Sequence, residues 1–334
     1  MSTQREKTNR EATFVRILIL GRVGLERQLA AMRARAQELG RTDMSIEAST
    51  HLPPHTIVHA LVALPMITVG AAEMDAMPEL RIICTPSVGT DHIDVAAAAQ
   101  RGIRVSNAPG FNTTEVAEHT ITLAAMMLRD VWASAQSVRA GRWSSDSPHP
   151  KRLSGSRIGL VGNGAIAQHT ARIARNLGMD VSVWSRNTPP GERAGGITAV
   201  STLGELLADQ DVVSLHVPLT VETSRLLNDR AFAMMRPGTI IVNTARGGLI
   251  DSEALKRALD RGQVSGAALD VLDHEPPDRD DPLLRDRRVA ITPHTAWLSP
   301  VSAVLAYGKA IDAIHSAIPE TTRLPDGASS PAPT

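Results

Sequence analysis

Short apolar runs alternate along the chain with segments that have helical spacing. "FVRILIL" (14–20) precedes a helical pattern ending at Gly40. "HTIVHALVA" and "RIICTP" follow, then the helical "DVAAAAQRG" and the strand-like "IRVSNAP". Gly40 and Gly102 each close a helical stretch just before the chain re-enters a strand, where glycine suits a helix C-terminus. Strands alternating with helices predict a doubly wound parallel sheet.

The segment 112–141 reads as one long helical pattern. Asn112 with Glu115 three residues on predicts a capping box, and Val116, Thr120, Leu123 and Met127 an apolar face. The polar, turn-rich "RWSSDSPHPKRLSGS" then reads as a linking loop. A second alternation predicts strands at Arg157–Val161, Val181–Trp184, Val212–His216, Thr239–Asn243, Ser265–Asp270 and Val289–Thr292. Six strands in this arrangement are what a full dinucleotide-binding domain needs. Helical spacing from Leu298 to Ile318 predicts a return to the first sheet. The expected organisation is α/β in two domains, 1–111 with 298–334, and 112–297 inserted between them. Residues 1–12 and the Pro/Ser/Ala tail from about Pro319 are expected to be poorly ordered.

Composition adds mainly exclusions. The 334 residues suffice for two cores, and 43% apolar with 21% charged residues is ordinary for a globular chain. Thirty-five basic residues balance 35 acidic ones with no basic run, so no nucleic-acid partner is expected. Cys84, the single cysteine, reads as a buried small hydrophobe in a reducing cytosol. No leader and no membrane span is expected, and the predicted location is cytoplasmic. No metal-ligand set is expected.

"IGLVGNGAIAQ" (158–168) runs from a predicted strand through glycines into a predicted helix with the stripe Ile166, Thr170, Ile173, Leu177. In that context Gly162, Asn163, Gly164, Ala165 and Ile166 predict a dinucleotide turn. Gly162 would allow the tight bend and Gly164 the approach of the pyrophosphate to backbone and helix N-terminus. Ala167 stands in the third glycine position, where a small residue still permits close packing. An NAD site usually has a carboxylate about 20 residues on; here the next strand ends in Ser185-Arg186. A guanidinium suits a 2′-phosphate, so NADP(H) is expected in preference to NAD(H), which Ser185 could still serve.

Three further strands end near charged residues: Arg246 in "NTARGGLID", Glu275 in "ALDVLDHEPP" and His294 in "TPHTAW". Ligands of open α/β sheets bind outside the carboxyl ends of strands, so these side chains are expected to converge. Their chemistry suits reduction of a 2-keto acid. An imidazolium protonates the forming alkoxide, a carboxylate on its other nitrogen fixes the tautomer, and a guanidinium holds the substrate carboxylate and polarises its carbonyl. His119, His216 and His274, with Asp273 and Asp278, show that such residue types are also available elsewhere in the chain.

From about Val58 to Pro300 the sequence resembles the D-isomer-specific 2-hydroxyacid dehydrogenases. "SVGTDHIDVAAAAQRGIRVSNAPGFNTTEVAEHT", "LVGNGAIA", "HVPLT", "NTARGGLID", "ALDVLDHEPP" and "TPHTAW" occur in that family's order. The resemblance implies a Rossmann cofactor domain inserted into a discontinuous, flavodoxin-like substrate domain. It implies catalysis by Arg246, Glu275 and His294, with the substrate carboxylate on the backbone of Val88 and Gly89 and on Arg246. It places cofactor contacts at Thr113, Val217, Pro218, Thr244, Ala245, Asp270 (to the nicotinamide carboxamide) and His294. It further implies a homodimer, closure about 109–112 and 297–300, and a small 2-keto acid such as glyoxylate or hydroxypyruvate. Glu275 stands where formate dehydrogenases carry Gln, and Val88 where phosphite enzymes carry Lys, which argues against both substrates. Ala167, Ser185, His92 and Asn163 depart from the usual pattern. A cofactor-sensing, corepressor-like binding protein resembles the same family and shares the triad, and so is the alternative.

Overall fold

The structure, a computed structural model, describes residues 14–52, 57–145, 150–193 and 195–319. Most of the two terminal stretches expected to be poorly ordered fall outside them. The described residues form two compact units. One runs up to Phe111 and resumes at Pro300, and the other is Asn112–Ser299.

The first unit contains β1 (Val15–Leu20), α1 (Glu26–Glu38), β2 (Met44–Ser49), β3 (Ala60–Ala63), α2 (Ala71–Asp75), β4 (Ile82–Cys84), α3 (Val95–Gln100) and β5 (Arg104–Ser106). Its five strands are all parallel in the order β2-β1-β3-β4-β5, the flavodoxin-like order. Helices cover both faces, so β3 and β4 are apolar at every position and read as continuous runs rather than alternating ones. Cys84 is buried among them, and burial pushes its thiol up to about 12, which leaves it inert. The helix Pro300–Ala317 packs on α1 and β4 through Ala306, Tyr307, Ala310, Ile311 and Ile314.

The second unit opens with α4 (Thr113–Leu128) and α5 (Val131–Arg139). The expected single helix is thus two, because Asp130 takes a left-handed φ of 56° and turns the chain. Asn112 makes no capping bond either; Glu115 instead accepts from Ser299 Oγ at 2.6 Å, and the buried Asn112 Oδ1 has no partner among the described residues. There follow β6 (Arg157–Val161), α6 (Ala165–Asn176), β7 (Asp180–Trp184), β8 (Gly191–Arg193), β9 (Ile197–Ala199), α7 (Leu203–Leu207) and β10 (Val212–Leu215). After these come α8 (Asp229–Met234), β11 (Thr239–Asn243), α9 (Ser252–Asp260), β12 (Val264–Leu269), α10 (Pro282–Arg285) and β13 (Val289–Ile291). The sheet order is β13-β12-β11-β10-β6-β7-β9-β8, parallel except for β8. This is a Rossmann sheet with a short antiparallel hairpin at one edge, and strand order reverses between β6 and β10.

The lower ends of its strands are tied together by one carboxylate. Asp211, just before β10 and only 7% exposed, accepts from Lys151 Nζ at 2.8 Å and from the Arg157 N–H at 2.9 Å, with Arg236 at 3.4 Å. Burial opposes its charge, but these donors outweigh burial and hold the carboxyl below its usual range. A depressed folded-state pKa stabilises at pH values above the unfolded value, about 3.9, and that stabilisation fades as pH falls through the folded value. Asp211→Asn is therefore expected to cost about 1–2 kcal/mol at pH 7, with the gap to the parent closing below about pH 4. Thermal melts at pH 7 and pH 3 check this. A gap as large at pH 3 as at pH 7 would show that Asp211 acts through packing rather than charge.

Candidate active site

The glycine turn lies where the strand order reverses. Gly162 follows β6 at φ +118° and donates its N–H to Trp184 O at 2.7 Å. A Cβ there would come within 2.4 Å of the His216 carbonyl oxygen at the end of β10, so only glycine fits. Gly164 caps α6 without any side-chain bond and with open space around it, leaving the first-turn N–H groups uncapped by side chains. Ala167 is buried with Thr170, Ala171 and Ala174 as the packed face of α6. This corrects the expected stripe: Leu177 is exposed, Ile166 and Ile173 are only half-buried, and small residues bring the helix close to the sheet. Turn, uncapped helix end and small-residue face together fit a bound pyrophosphate.

At the tip of β7, a cavity of about 520 Å³ is lined by Ser185, Arg186, Asn187 and Thr188 among others, and by no acidic residue. Ser185 Oγ lies 2.8 Å from Thr188 Oγ1, which also accepts from Asn163 Nδ2 at 3.0 Å. Val217 and Pro218 follow β10 beside Gly162, and Val217 would touch a Cβ placed there. Burial pushes the neighbouring His216 imidazole down to about 4, so it is neutral at physiological pH. Thr113 is the first residue of α4.

Beyond β11, Asn243 is fully buried. Its side chain accepts from the Ala245 N–H at 3.0 Å and donates to the Arg246 carbonyl at 2.8 Å, fixing the loop 244–246. Thr244 Oγ1 meets Thr120 Oγ1 of α4 at 2.8 Å. Arg246 donates from Nη1 to Ala245 O at 2.7 Å. Gly247 then passes against the chain after β12 so closely that a Cβ would lie 1.9 Å from the Leu272 carbonyl carbon.

His294 Nδ1 donates to Glu275 Oε2 at 2.6 Å, while Glu275 Oε1 accepts from the Leu272 N–H at 3.0 Å. Burial opposes the Glu275 charge. The bond to His294, that ring's charge, the Leu272 N–H and the nearby Arg246 charge outweigh burial and hold the carboxyl below its usual range. An ionised carboxylate only accepts, so Nδ1 carries the hydrogen, and Nε2 has no partner among the described residues. His294 stands at φ +53° with its N–H on the Asp270 carbonyl at 2.8 Å. Asp270, 1% exposed, accepts from Thr292 Oγ1 (2.6 Å) and the N–H groups of Thr295 (2.9 Å) and Ala296 (2.8 Å). These donors take three of the roughly four acceptor sites that a carboxylate offers. Sequence reasoning missed Asn243 and Thr292; a polar residue closing an all-apolar strand was their only signal.

In the first unit, Ser87 Oγ donates to Gly89 O at 2.6 Å and Asn107 Nδ2 to Val88 O at 2.6 Å. The N–H groups of Val88 and Gly89 donate to nothing among the described residues, which suits a carboxylate.

The sequence model described as D-isomer specific 2-hydroxyacid dehydrogenase, NAD binding domain, matches residues 121–296. The chain belongs to the D-isomer-specific 2-hydroxyacid dehydrogenase family. A family member, the glyoxylate reductase of Thermofilum pendens, is 38% identical over 247 residues, 71% of each chain. Chloroplastic D-3-phosphoglycerate dehydrogenase 3 of Arabidopsis thaliana is 43% identical over 216 residues, 64% of this chain and 37% of that one. The chain spans 35–45% of the length of the phosphoglycerate dehydrogenases among its first relatives. The solved structure of a glyoxylate reductase from Paecilomyes thermophila superposes with a TM-score of 0.79 at 28% identity, covering 92% of this chain and 96% of that one.

Proposed function

We propose that the protein is a nicotinamide-dependent reductase of small 2-keto acids such as glyoxylate or hydroxypyruvate, forming the D-2-hydroxy acid and preferring NADPH to NADH. The observation that carries this reading is the 2.6 Å bond from His294 Nδ1 to Glu275, with the Arg246 charge bearing on the same carboxylate. A bound dihydronicotinamide supplies the hydride to the substrate's C2. His294 gives its Nε2 proton to the carbonyl oxygen as negative charge develops there, and the ring left neutral keeps its Nδ1–H on Glu275. Arg246 neutralises the substrate carboxylate and polarises the carbonyl. In the first unit, the N–H groups of Val88 and Gly89, which donate to nothing among the described residues, are suited to a carboxylate. Gly162 and the start of α6 would hold the pyrophosphate, Val217 and Pro218 the adenine side, and Thr113, Thr244, Ala245 and Asp270 the nicotinamide side.

NADPH preference rests on Ser185-Arg186 and on a β7 cavity without a carboxylate to repel a 2′-phosphate. Kinetics with NADH and NADPH against glyoxylate, hydroxypyruvate, pyruvate and phenylpyruvate test the reading, with D-3-phosphoglycerate oxidation run beside them. The first two acids with NADPH are expected to give the highest kcat/KM, from a cytoplasmic protein that sediments as two copies. Faster turnover of phosphoglycerate would reassign the substrate, an NADH preference would remove the role of Arg186, and no turnover at all would end the proposal.

A further inference from the structure

α4 touches both loops of the candidate site through adjacent residues. Thr120 meets Thr244, and His119 Nε2 lies 3.2 Å from Thr292 Oγ1 and 3.7 Å from Asp270 Oδ1. The second contact fixes a proton. Thr292 has a single hydroxyl hydrogen, and at 2.6 Å it is committed to Asp270, which as a carboxylate can only accept. Towards His119 the hydroxyl can therefore only accept, so His119 Nε2 carries a hydrogen and donates it. The chain runs His119 to Thr292 to Asp270, and the last member organises the catalytic turn. Its carboxylate takes the N–H groups of Thr295 and Ala296, and its carbonyl takes that of His294.

The turn needs such support. His294 sits at φ +53°, a left-handed conformation that non-glycine residues hold only when their surroundings impose it. Asp270 is 1% exposed, and a buried carboxylate tolerates the loss of a donor poorly. We infer that His119 is a positioning residue for the acid/base histidine: its Nε2–H aligns Thr292 on Asp270, and Asp270 fixes the turn that aims the His294 ring. The inference rests on the reaction proposed above, in which His294 donates the proton.

Steady-state kinetics of the full chain test it, read together with ring ¹⁵N NMR of its histidines. His119→Leu is expected to lower kcat for glyoxylate about tenfold with KM for the keto acid nearly unchanged. His119→Gln, whose amide also donates, is expected to recover most of that loss. In a Thr292→Val background, His119→Leu is expected to add nothing, because the intermediary is already gone. NMR of the protein without ligand is expected to show His119 with hydrogen on Nε2, and to show the His294 ring signals shifted by His119→Leu. An unchanged kcat in His119→Leu, an equal loss in both backgrounds, or failure of Gln to rescue would overturn the inference. If no keto acid is turned over, the NMR decides alone: unmoved His294 signals reject it, whatever becomes of the proposed reaction.

Discussion

Replacing His294 by glutamine is expected to lower kcat for glyoxylate reduction about 10³-fold while NADPH still binds. Glutamine is polar and of similar reach, so the 292–296 turn keeps its bonds to Asp270, but its amide cannot deliver a proton. The loss should appear in kcat rather than in KM, since the proton is needed only as the alkoxide forms. Because Glu275 is held below the usual carboxylate range, it is charged at neutral pH and accepts from the ring. Turnover with NADPH, alongside circular dichroism to confirm folding, measures the effect. A variant that keeps parental turnover would refute the acid/base assignment.

Gly162→Ala is expected to do the converse, weakening NADPH binding on the order of 100-fold. The added methyl would meet a carbonyl oxygen at 2.4 Å and its carbon at 2.8 Å, and both belong to the backbone leaving β10. No flexible side chain can yield. At φ +118° the alanine would be strained even in free space. The turn must therefore open, moving the N-terminus of α6 away from the phosphates. Calorimetric titration of the purified variant with NADPH reads this directly, and an unchanged Kd would mean that the cofactor does not use this turn. Together the two variants separate holding the cofactor from moving the proton.

The central strands could be read from the sequence because burial on both faces makes them apolar at nearly every position, as in "VVSL" and "TIIVN". β2, "MSIEAS", is not legible in the pattern: it lies at the sheet edge with one buried residue, and its mixed polarity resembles a loop. The β8–β9 hairpin was missed in a glycine-rich stretch of weak pattern. The break at Asp130 escaped because one residue in a left-handed conformation leaves helical spacing on either side undisturbed. The capping box failed for a tertiary reason, since Glu115 bonds a residue 184 positions away. Arg246, Glu275 and His294 stood out because each follows an apolar strand. His119 did not, because its partners lie just beyond strands distant in sequence and only folding brings them to it.

Gly247 has a consequence for how such a centre endures change. With no side chain between them, two crossing peptide segments lie in contact, one bearing the guanidinium and the other leading to the carboxylate that steadies the imidazole. The approach of these two loops is thereby gauged by polypeptide thickness. If the proposed reaction holds, neighbouring positions can drift in volume or polarity and retune which acid is accepted while the two loops keep their distance.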